Sequence, residues 1–271
     1  MDTLKLLTVG NSFSDDAMEY VWQIASALGF KKIELGNLYI GGCSLATHRE
    51  NALSGEEVYE FRTNTDGVWR TENKSLVYGV TFRDWDVVSL QQASPFSGRE
   101  ETYNEDLFFL VDFIKRRAKN PNVKLVWHMT WAYAKDSDHE AFANYGQNQG
   151  TMYEMIIKTV QKKILPTNVF STVIPSGTAI QNARTSFLGD SLNRDGFHLS
   201  IPLGRYVAGL TLVTAVTGAD ISQIAYAPEG VSDAERATAV ESAENACRAP
   251  FAVTPSRYMK RTFEEKKENR E

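Results

Sequence analysis

Short apolar runs alternate along this chain with longer stretches in which apolar residues recur at helical spacing. The run 4–9 reads as a buried strand. Residues 16–28 carry Ala17, Tyr20, Val21, Ile24, Ala25 and Leu28 on one helical face, and Gly29 closes that helix. Residues 32–40 read as a second strand ending at Gly41-Gly42. The stretch 48–81 is polar, with Tyr59, Trp69 and Tyr78 scattered through it. It belongs to an excursion over 45–81 that predicts a short helix and a small hairpin around Asp66-Gly67. A third strand falls at Val87-Val88-Ser89-Leu90, and a helix over 103–119 places Leu107, Leu110, Val111 and Ile114 on one face. Asn120-Pro121-Asn122 introduces a fourth strand over 123–129. A helix over 150–165 leads to a fifth strand over 169–174, stopped by Pro175, and a short helix over 178–183. The loop 189–200 precedes a helix over 202–217 with proline in its first turn, and a further helix covers 234–248. The last residues, 260–271, are dominated by charge and read as a solvated helix end or a disordered tail.

Five apolar strands alternating with amphipathic helices predict an α/β fold. It is a three-layer α/β/α sandwich around a central parallel sheet of about five strands in flavodoxin-like order. Residues 1–259 form one domain in this reading, with 260–271 as a charged tail. Such sheets bind ligands outside the carboxyl ends of their strands. The first strand leaves Gly10-Asn11-Ser12 there, the second Gly41-Gly42, and the third Gln91-Gln92. The fourth leaves His128-Met129-Thr130-Trp131, and Asp195-Gly196-Phe197-His198 lies beyond the fifth.

Composition narrows the picture from outside. The chain has 271 residues, 42% hydrophobic and 23% charged, with a net charge of −5. That acidic balance argues against a nucleic-acid binder and against a surface that hugs anionic lipid. No apolar run approaches the ~18 residues a membrane span needs. Two cysteines, Cys43 and Cys247, make neither a disulfide framework nor a zinc site and read as buried thiols. No signal-peptide pattern precedes Leu4. As written the chain would stay in the cytoplasm; with a leader already removed it would be periplasmic or secreted. The turn is not G-x-G-x-x-G, no Walker A loop occurs, and no H-E-x-x-H spacing appears, so no cofactor and no metal are expected.

The chemistry at the sheet edge suits nucleophilic catalysis. A serine hydroxyl needs a general base, and the base needs an orienting carboxylate. Asp195 and His198 supply both within one loop, leaving Ser12 as nucleophile. The Ser12 and Gly42 N–H groups, with a side-chain amide from the third strand end, would hold the oxyanion. Gly41 is the alternative to Gly42. Ser14 is the rival serine, but with Asp15 and Asp16 it reads better as a helix N-cap. His128 is the rival histidine, read as pocket-lining or structural. His48 and His139 read as surface residues. Trp131 and Tyr133 read equally as pocket wall or core.

Taken together, Gly10-Asn11-Ser12-Phe13-Ser14, Gly42 and Asp195-Gly196-Phe197-His198 resemble the blocks of the SGNH, or GDSL-like, hydrolase superfamily, over roughly residues 4–217. The third block departs: Leu90-Gln91-Gln92-Ala93-Ser94 stands where the superfamily commonly has Gly-x-Asn-Asp. Some carbohydrate-acetylesterase branches use Gln in the Asn role, which the resemblance carries onto Gln92, with Gln91 as fallback. The GNSFS and LQQAS blocks together resemble an SGNH-like branch common in gut Bacteroidetes. The resemblance implies a catalytic Ser12, Asp195 and His198, an oxyanion hole of Ser12, Gly42 and Gln92, and substrate contacts from Gln91, His128 and Trp131. It implies a short-chain acyl ester as substrate, tilted toward O-acetyl groups on a carbohydrate. The partner is then a small-molecule or glycan ester. A lipase or thioesterase of the same fold and a non-catalytic carbohydrate-binding protein are the alternatives.

Overall fold

A computed structural model of the chain describes residues 2–259, and the charged stretch 260–271 lies outside them. β1 (Thr3–Gly10) runs into α1 (Ser12–Met18) and α2 (Val21–Ala27), then β2 (Lys32–Tyr39). The single helix expected over 16–28 is therefore two. The break falls at Glu19-Tyr20, where the Glu19 carbonyl accepts from Trp69 Nε1 at 3.4 Å. α3 (Leu45–Ser54) is capped by the Ser44 hydroxyl, which accepts from Thr47 N–H, and ends at left-handed Gly55. The hairpin of β3 (Tyr59–Asn64) and β4 (Arg70–Lys74), α4 (Leu76–Phe82) and β5 (Val87–Leu90) follow. α5 (Glu105–Arg117) has acidic residues in its first turn and basic residues in its last, matching the helix dipole. β6 (Lys124–His128), α6 (Gln149–Thr159), β7 (Phe170–Ile174), α7 (Ser176–Arg184), α8 (Leu203–Thr217) and α9 (Asp233–Arg248) complete the order.

The sheet has seven strands, in the order β4-β3-β2-β1-β5-β6-β7, where the sequence suggested about five. The five expected strands form the parallel part, β2-β1-β5-β6-β7, in flavodoxin-like order. The two additional strands are the hairpin from the polar excursion, paired antiparallel onto β2. Only Tyr59, Phe61 and Asn64 of β3 are buried and nothing in β4 is, so neither strand presents an apolar run. Helices cover the sheet on both faces. α8 packs against α1, α2, α7 and α9, while α3, α4 and α5 pack together. Nearly every residue of α8 from Leu203 to Val213 is buried, the mark of a central helix. On α5 the expected stripe of Leu107, Leu110, Val111 and Ile114 is buried, each side chain contributing about 1.5–3 kcal/mol. Among the described residues no helix is long and apolar enough to cross a membrane.

Candidate active site

Strand β1 lies between β2 and β5, the place where chain connections diverge to either side. At its end Asn11 is extended, at φ −140° and ψ −156°, and Ser12 opens α1. Gly10 lets this turn close tightly: a β-carbon there would sit 2.7 Å from Ser14 Oγ and 2.9 Å from Gln91 Cδ. The helix cap is Asn11, not Ser14 as expected. Asn11 Oδ1 accepts from Phe13 N–H at 3.0 Å, and Asn11 Nδ2 donates to the Cys43 carbonyl at 3.1 Å. Ser14 is buried with its hydroxyl between Asn11 O at 2.8 Å and Asn37 Oδ1 at 2.9 Å, away from solvent. Ser12 is half-buried and borders a cleft of about 240 Å³.

That cleft also meets Gly41, Gly42, Tyr39, Ser94, Pro95, His139, Phe197 and His198. Gly42 has φ +66°, a conformation open to glycine at little cost. Neither the Ser12 nor the Gly42 N–H meets an acceptor among the described residues, as expected for the first turn of a helix and for a tight loop. Two unpaired donors thus border the cleft that holds the Ser12 hydroxyl.

Asp195 fixes His198 from one side. His198 Nδ1–H donates to Asp195 Oδ2 at 2.7 Å, and Asp195 Oδ1 accepts the His198 and Phe197 N–H groups at 2.8 and 3.2 Å. Burial pushes the Asp195 carboxyl up, but these three hydrogen bonds outweigh it and its pKa lies below the ordinary value. With Nδ1 carrying the proton, Nε2 of a neutral ring keeps its lone pair. No hydrogen bond joins Ser12 to His198; the two side chains border one cleft. Catalytic hydrogen bonds in unliganded sites are often long and tighten on binding.

Two residues that hold these segments together were not legible as such. Asp16 is fully buried, one turn beyond Ser12. It accepts the Leu199 N–H at 2.7 Å, Arg194 Nη1 at 3.1 Å and Arg205 Nε at 2.8 Å. The helix that begins at Ser12 is thereby tied to the residue after His198. A carboxylate beside the buried Phe13 and Ala17, and arginines flanking the Asp-x-x-His block, were the available signals. Trp131 does similar work. Fully buried, it stacks on Phe13 at 4.2 Å between ring centroids and donates Nε1–H to the Phe197 carbonyl at 2.8 Å. It braces the neighbours of both Ser12 and His198 and does not border the cleft, which corrects its expected substrate contact.

Gln91, Gln92 and His128 also lie behind the cleft. Gln92 Oε1 accepts from Leu45 N–H at 3.1 Å and Ala93 N–H at 2.9 Å, and its Nε2 donates to Thr102 Oγ1 at 3.1 Å. Its amide faces α3 and the 102 turn, so the expected oxyanion contact is not made. Gln91 Nε2 donates to Asn11 Oδ1 at 2.8 Å, and His128 Nδ1 lies 2.9 Å from Gln91 Oε1. The directions are forced. Asn11 must turn its oxygen to the Phe13 N–H, so Gln91 turns its nitrogen to Asn11 and its oxygen to His128. His128 Nδ1 therefore carries the proton, and Nε2 accepts from the Ser176 hydroxyl at 3.0 Å. Burial lowers the His128 pKa to about 3, so this ring stays neutral and structural, without the expected substrate contact.

The other two histidines are not on the open surface as expected. His48 is fully buried against Tyr59 and Cys43, its pKa lowered to about 3 by burial. His139 is half-buried and borders the cleft, its Nδ1 accepting from Ala141 N–H at 3.1 Å. Burial pushes the Cys43 and Cys247 thiols up to about 12, so neither is a nucleophile at neutral pH. A larger cavity of about 500 Å³, between β7 and the ends of α8 and α9, shares no residue with the cleft. Cys247 is its only nucleophile of note. Among the described residues no group of three or more His, Cys, Asp or Glu side chains could hold a metal ion.

The family described as a domain of unknown function, DUF4886, matches residues 5–246. The crystal structure of a DUF4886 family protein from Bacteroides uniformis is 40% identical, with a TM-score of 0.92, covering 96% of this chain and 100% of that one. A proposed SGNH hydrolase from Slackia heliotrinireducens is similar in fold, with a TM-score of 0.53 at 18% identity over 79% of this chain and 99% of that one. An acetylxylan esterase from Geobacillus stearothermophilus is similar at a TM-score of 0.50 and 14% identity, over 78% and 92% of the two chains. No curated protein matches the chain in sequence.

Proposed function

The chain belongs to the DUF4886 family and has the SGNH-hydrolase fold, and on that footing we propose that it is a serine esterase for short acyl esters, O-acetyl groups on carbohydrates above all. The observation that carries the reading is the Asp195–His198 pair. It leaves a lone pair at Nε2 on an imidazole that borders the same cleft as Ser12. Ser12 Oγ attacks the ester carbonyl while His198 Nε2 takes its proton. Asp195 stabilises the imidazolium that forms. The Ser12 and Gly42 N–H groups hold the oxyanion, each such donor being worth on the order of 10²–10³ in rate. As the tetrahedral intermediate collapses, His198 returns the proton to the departing alcohol. Water then attacks the acyl-Ser12, giving its proton to His198, and the carboxylic acid and the free serine follow.

The size of the cleft, about 240 Å³, suits a short acyl group better than the long chain of a lipase substrate. The test is hydrolysis of p-nitrophenyl acetate with labelling by a fluorophosphonate. Ser12→Ala is expected to abolish labelling and to lower kcat/KM by at least about 10³-fold, with His198→Ala costing a similar factor because such residues act as a unit. Undiminished turnover in Ser12→Ala would overturn the nucleophile assignment.

A further inference from the structure

A second cavity of about 210 Å³ opens beside the cleft, between α1 and the β3–β4 hairpin, lined by Asp15, Glu19, Arg62, Trp69 and Thr71. Ser12, Asp15 and Glu19 follow one another at i, i+3 and i+7, so one helical stripe leads from the serine into this cavity. Tyr39 joins the two spaces from the other side. It borders the cleft, and the Arg62 guanidinium lies over its ring at 4.2 Å. Each space alone is smaller than a usual small-molecule site, on the order of 300–1,000 Å³; the two side by side reach that range.

The charges lining the cavity are already matched. Arg62 pairs with Asp15 and with Glu60, and Glu19 with Arg205 at 2.7 Å. A charged ligand would have to break one of these pairs. A neutral ring with several hydroxyls would not: it can use the remaining carboxylate lone pairs, the free guanidinium N–H and the Thr71 hydroxyl. Trp69, half-buried with its Nε1 turned to the Glu19 carbonyl, adds an aromatic surface.

We infer that this cavity is the subsite for the alcohol part of the ester and that it takes a neutral polyhydroxylated ring, a sugar, along the Ser12–Asp15–Glu19 stripe. The inference rests on the esterase reading for its orientation: the acyl group lies in the cleft and the sugar toward the hairpin. It also gives the hairpin, added to an otherwise ordinary parallel sheet, a part in recognition.

The test compares a panel of mono-O-acetylated methyl pyranosides with p-nitrophenyl acetate. The wild-type chain is expected to favour at least one sugar ester through a lower KM. Thr71→Trp fills the cavity from an exposed strand position without removing a buried contact. It is expected to raise the KM for that ester at least tenfold and to lower its kcat/KM relative to p-nitrophenyl acetate by a similar factor. Trp69→Ala is expected to do the same and Trp69→Phe less. Binding of the same ester to the Ser12→Ala protein, followed by calorimetry, judges the cavity without turnover, and Thr71→Trp is expected to weaken it at least fivefold. An unchanged selectivity ratio with unchanged calorimetric affinity in Thr71→Trp overturns the subsite, as does a wild-type chain that favours no sugar ester and binds none. A wild-type chain that hydrolyses no ester overturns the esterase reading instead, and undiminished p-nitrophenyl acetate hydrolysis in Ser12→Ala overturns the nucleophile assignment; in either case the calorimetric arm still decides the cavity.

Discussion

Asp16→Asn isolates the tie between the serine helix and the histidine loop. The carboxylate has 1% of its side-chain surface exposed and faces Arg205, at 13%, and Arg194, at 35%. Breaking a buried pair costs about 3–5 kcal/mol. Arg194 is more than a third exposed and contributes little of that, and Arg205 retains Glu19 at 2.7 Å. The amide keeps one acceptor oxygen but turns an NH₂ group toward donors, either the Leu199 N–H or a guanidinium. About 2–3 kcal/mol is therefore the expected loss, or about 4–12 °C in Tm at about 2–4 °C per kcal/mol for a chain of this size. The Leu199 N–H that loses its anchor is the next residue along from His198, and a misplacement of about 1 Å costs on the order of 10² in rate. The assay pairs thermal unfolding with p-nitrophenyl acetate kinetics at 25 °C. Asp16→Asn should lose about 10² in kcat with little change in KM. Ile114→Ala in α5, a fully buried side chain on a helix that does not contribute to the cleft, should lose a comparable amount of stability, about 2–5 kcal/mol, and keep kcat within about twofold. If Asp16→Asn kept full kcat, or Ile114→Ala lost as much, the tie would have no catalytic consequence.

Gln92→Met should leave the Leu45 and Ala93 N–H groups without their acceptor and cost about 1–3 kcal/mol per buried donor, with kcat within a few-fold. A hundredfold loss of kcat at unchanged Tm would instead restore Gln92 to the oxyanion hole. Acid should destabilise the fold through His48 and His128. Both have folded pKa values of about 3 against 6.5 in the unfolded chain, so the unfolded state takes up protons first. The stability their neutrality contributes is complete above pH 6.5 and is lost as pH falls toward 3, at about 1.4 kcal/mol per pH unit for each ring. Urea unfolding from pH 6 to 4 should show that slope, and His48→Leu should remove about one ring's share whatever it does to absolute stability; an unaltered slope would count against the buried neutral ring.

The parallel half of the sheet was legible because strands covered on both faces must be apolar throughout, as Leu6, Leu7, Val87 and Val88 are. The two edge strands were legible only as a hairpin around Asp66-Gly67, without their place in the sheet. Arg70–Lys74 is almost wholly exposed, and its pairing comes from the backbone and from the turn at Asp66-Gly67, which was the one readable sign of it. Ser12 and the Asp195–His198 pair were expected at one sheet edge, and they border one cleft, because each sits in a short block whose local geometry is nearly set by its own residues. Gln92, Trp131 and His139 could not be placed in the same way. Gln92 and Trp131 follow strand ends, where the backbone leaves the pleat, and His139 lies in the loop beyond β6, so spacing alone does not say which way they turn. Gln92 turned to α3, Trp131 to the core, and His139 borders the cleft. The tie made by Asp16, read only as part of the helix start, was not legible for a different reason: its arginine partners lie some 180 positions away, beyond any local pattern.

What these placements share is a physical requirement of the proposed chemistry. Ser12, Gly42 and His198 all come from loops or the first turn of a short helix, segments that are mobile unless tied. Each is one residue or one bond from a rigid element. Asn11 hangs from β5 and β6 through Gln91 and His128, with Ser176 of α7 closing the relay. The same Asn11 holds the Cys43 carbonyl and so the glycine loop. Asp16 and Trp131 hold the histidine loop. A relay of neutral amides and an uncharged imidazole suits this task, since it fixes direction without placing a titrating charge beside the oxyanion donors. A positively charged His128 would need an anion in a buried layer of the core; burial, which lowers its pKa to about 3, keeps that demand from arising near neutral pH. Two imidazoles thus serve one turn in different ways, one bordering the cleft and one buried and neutral behind it.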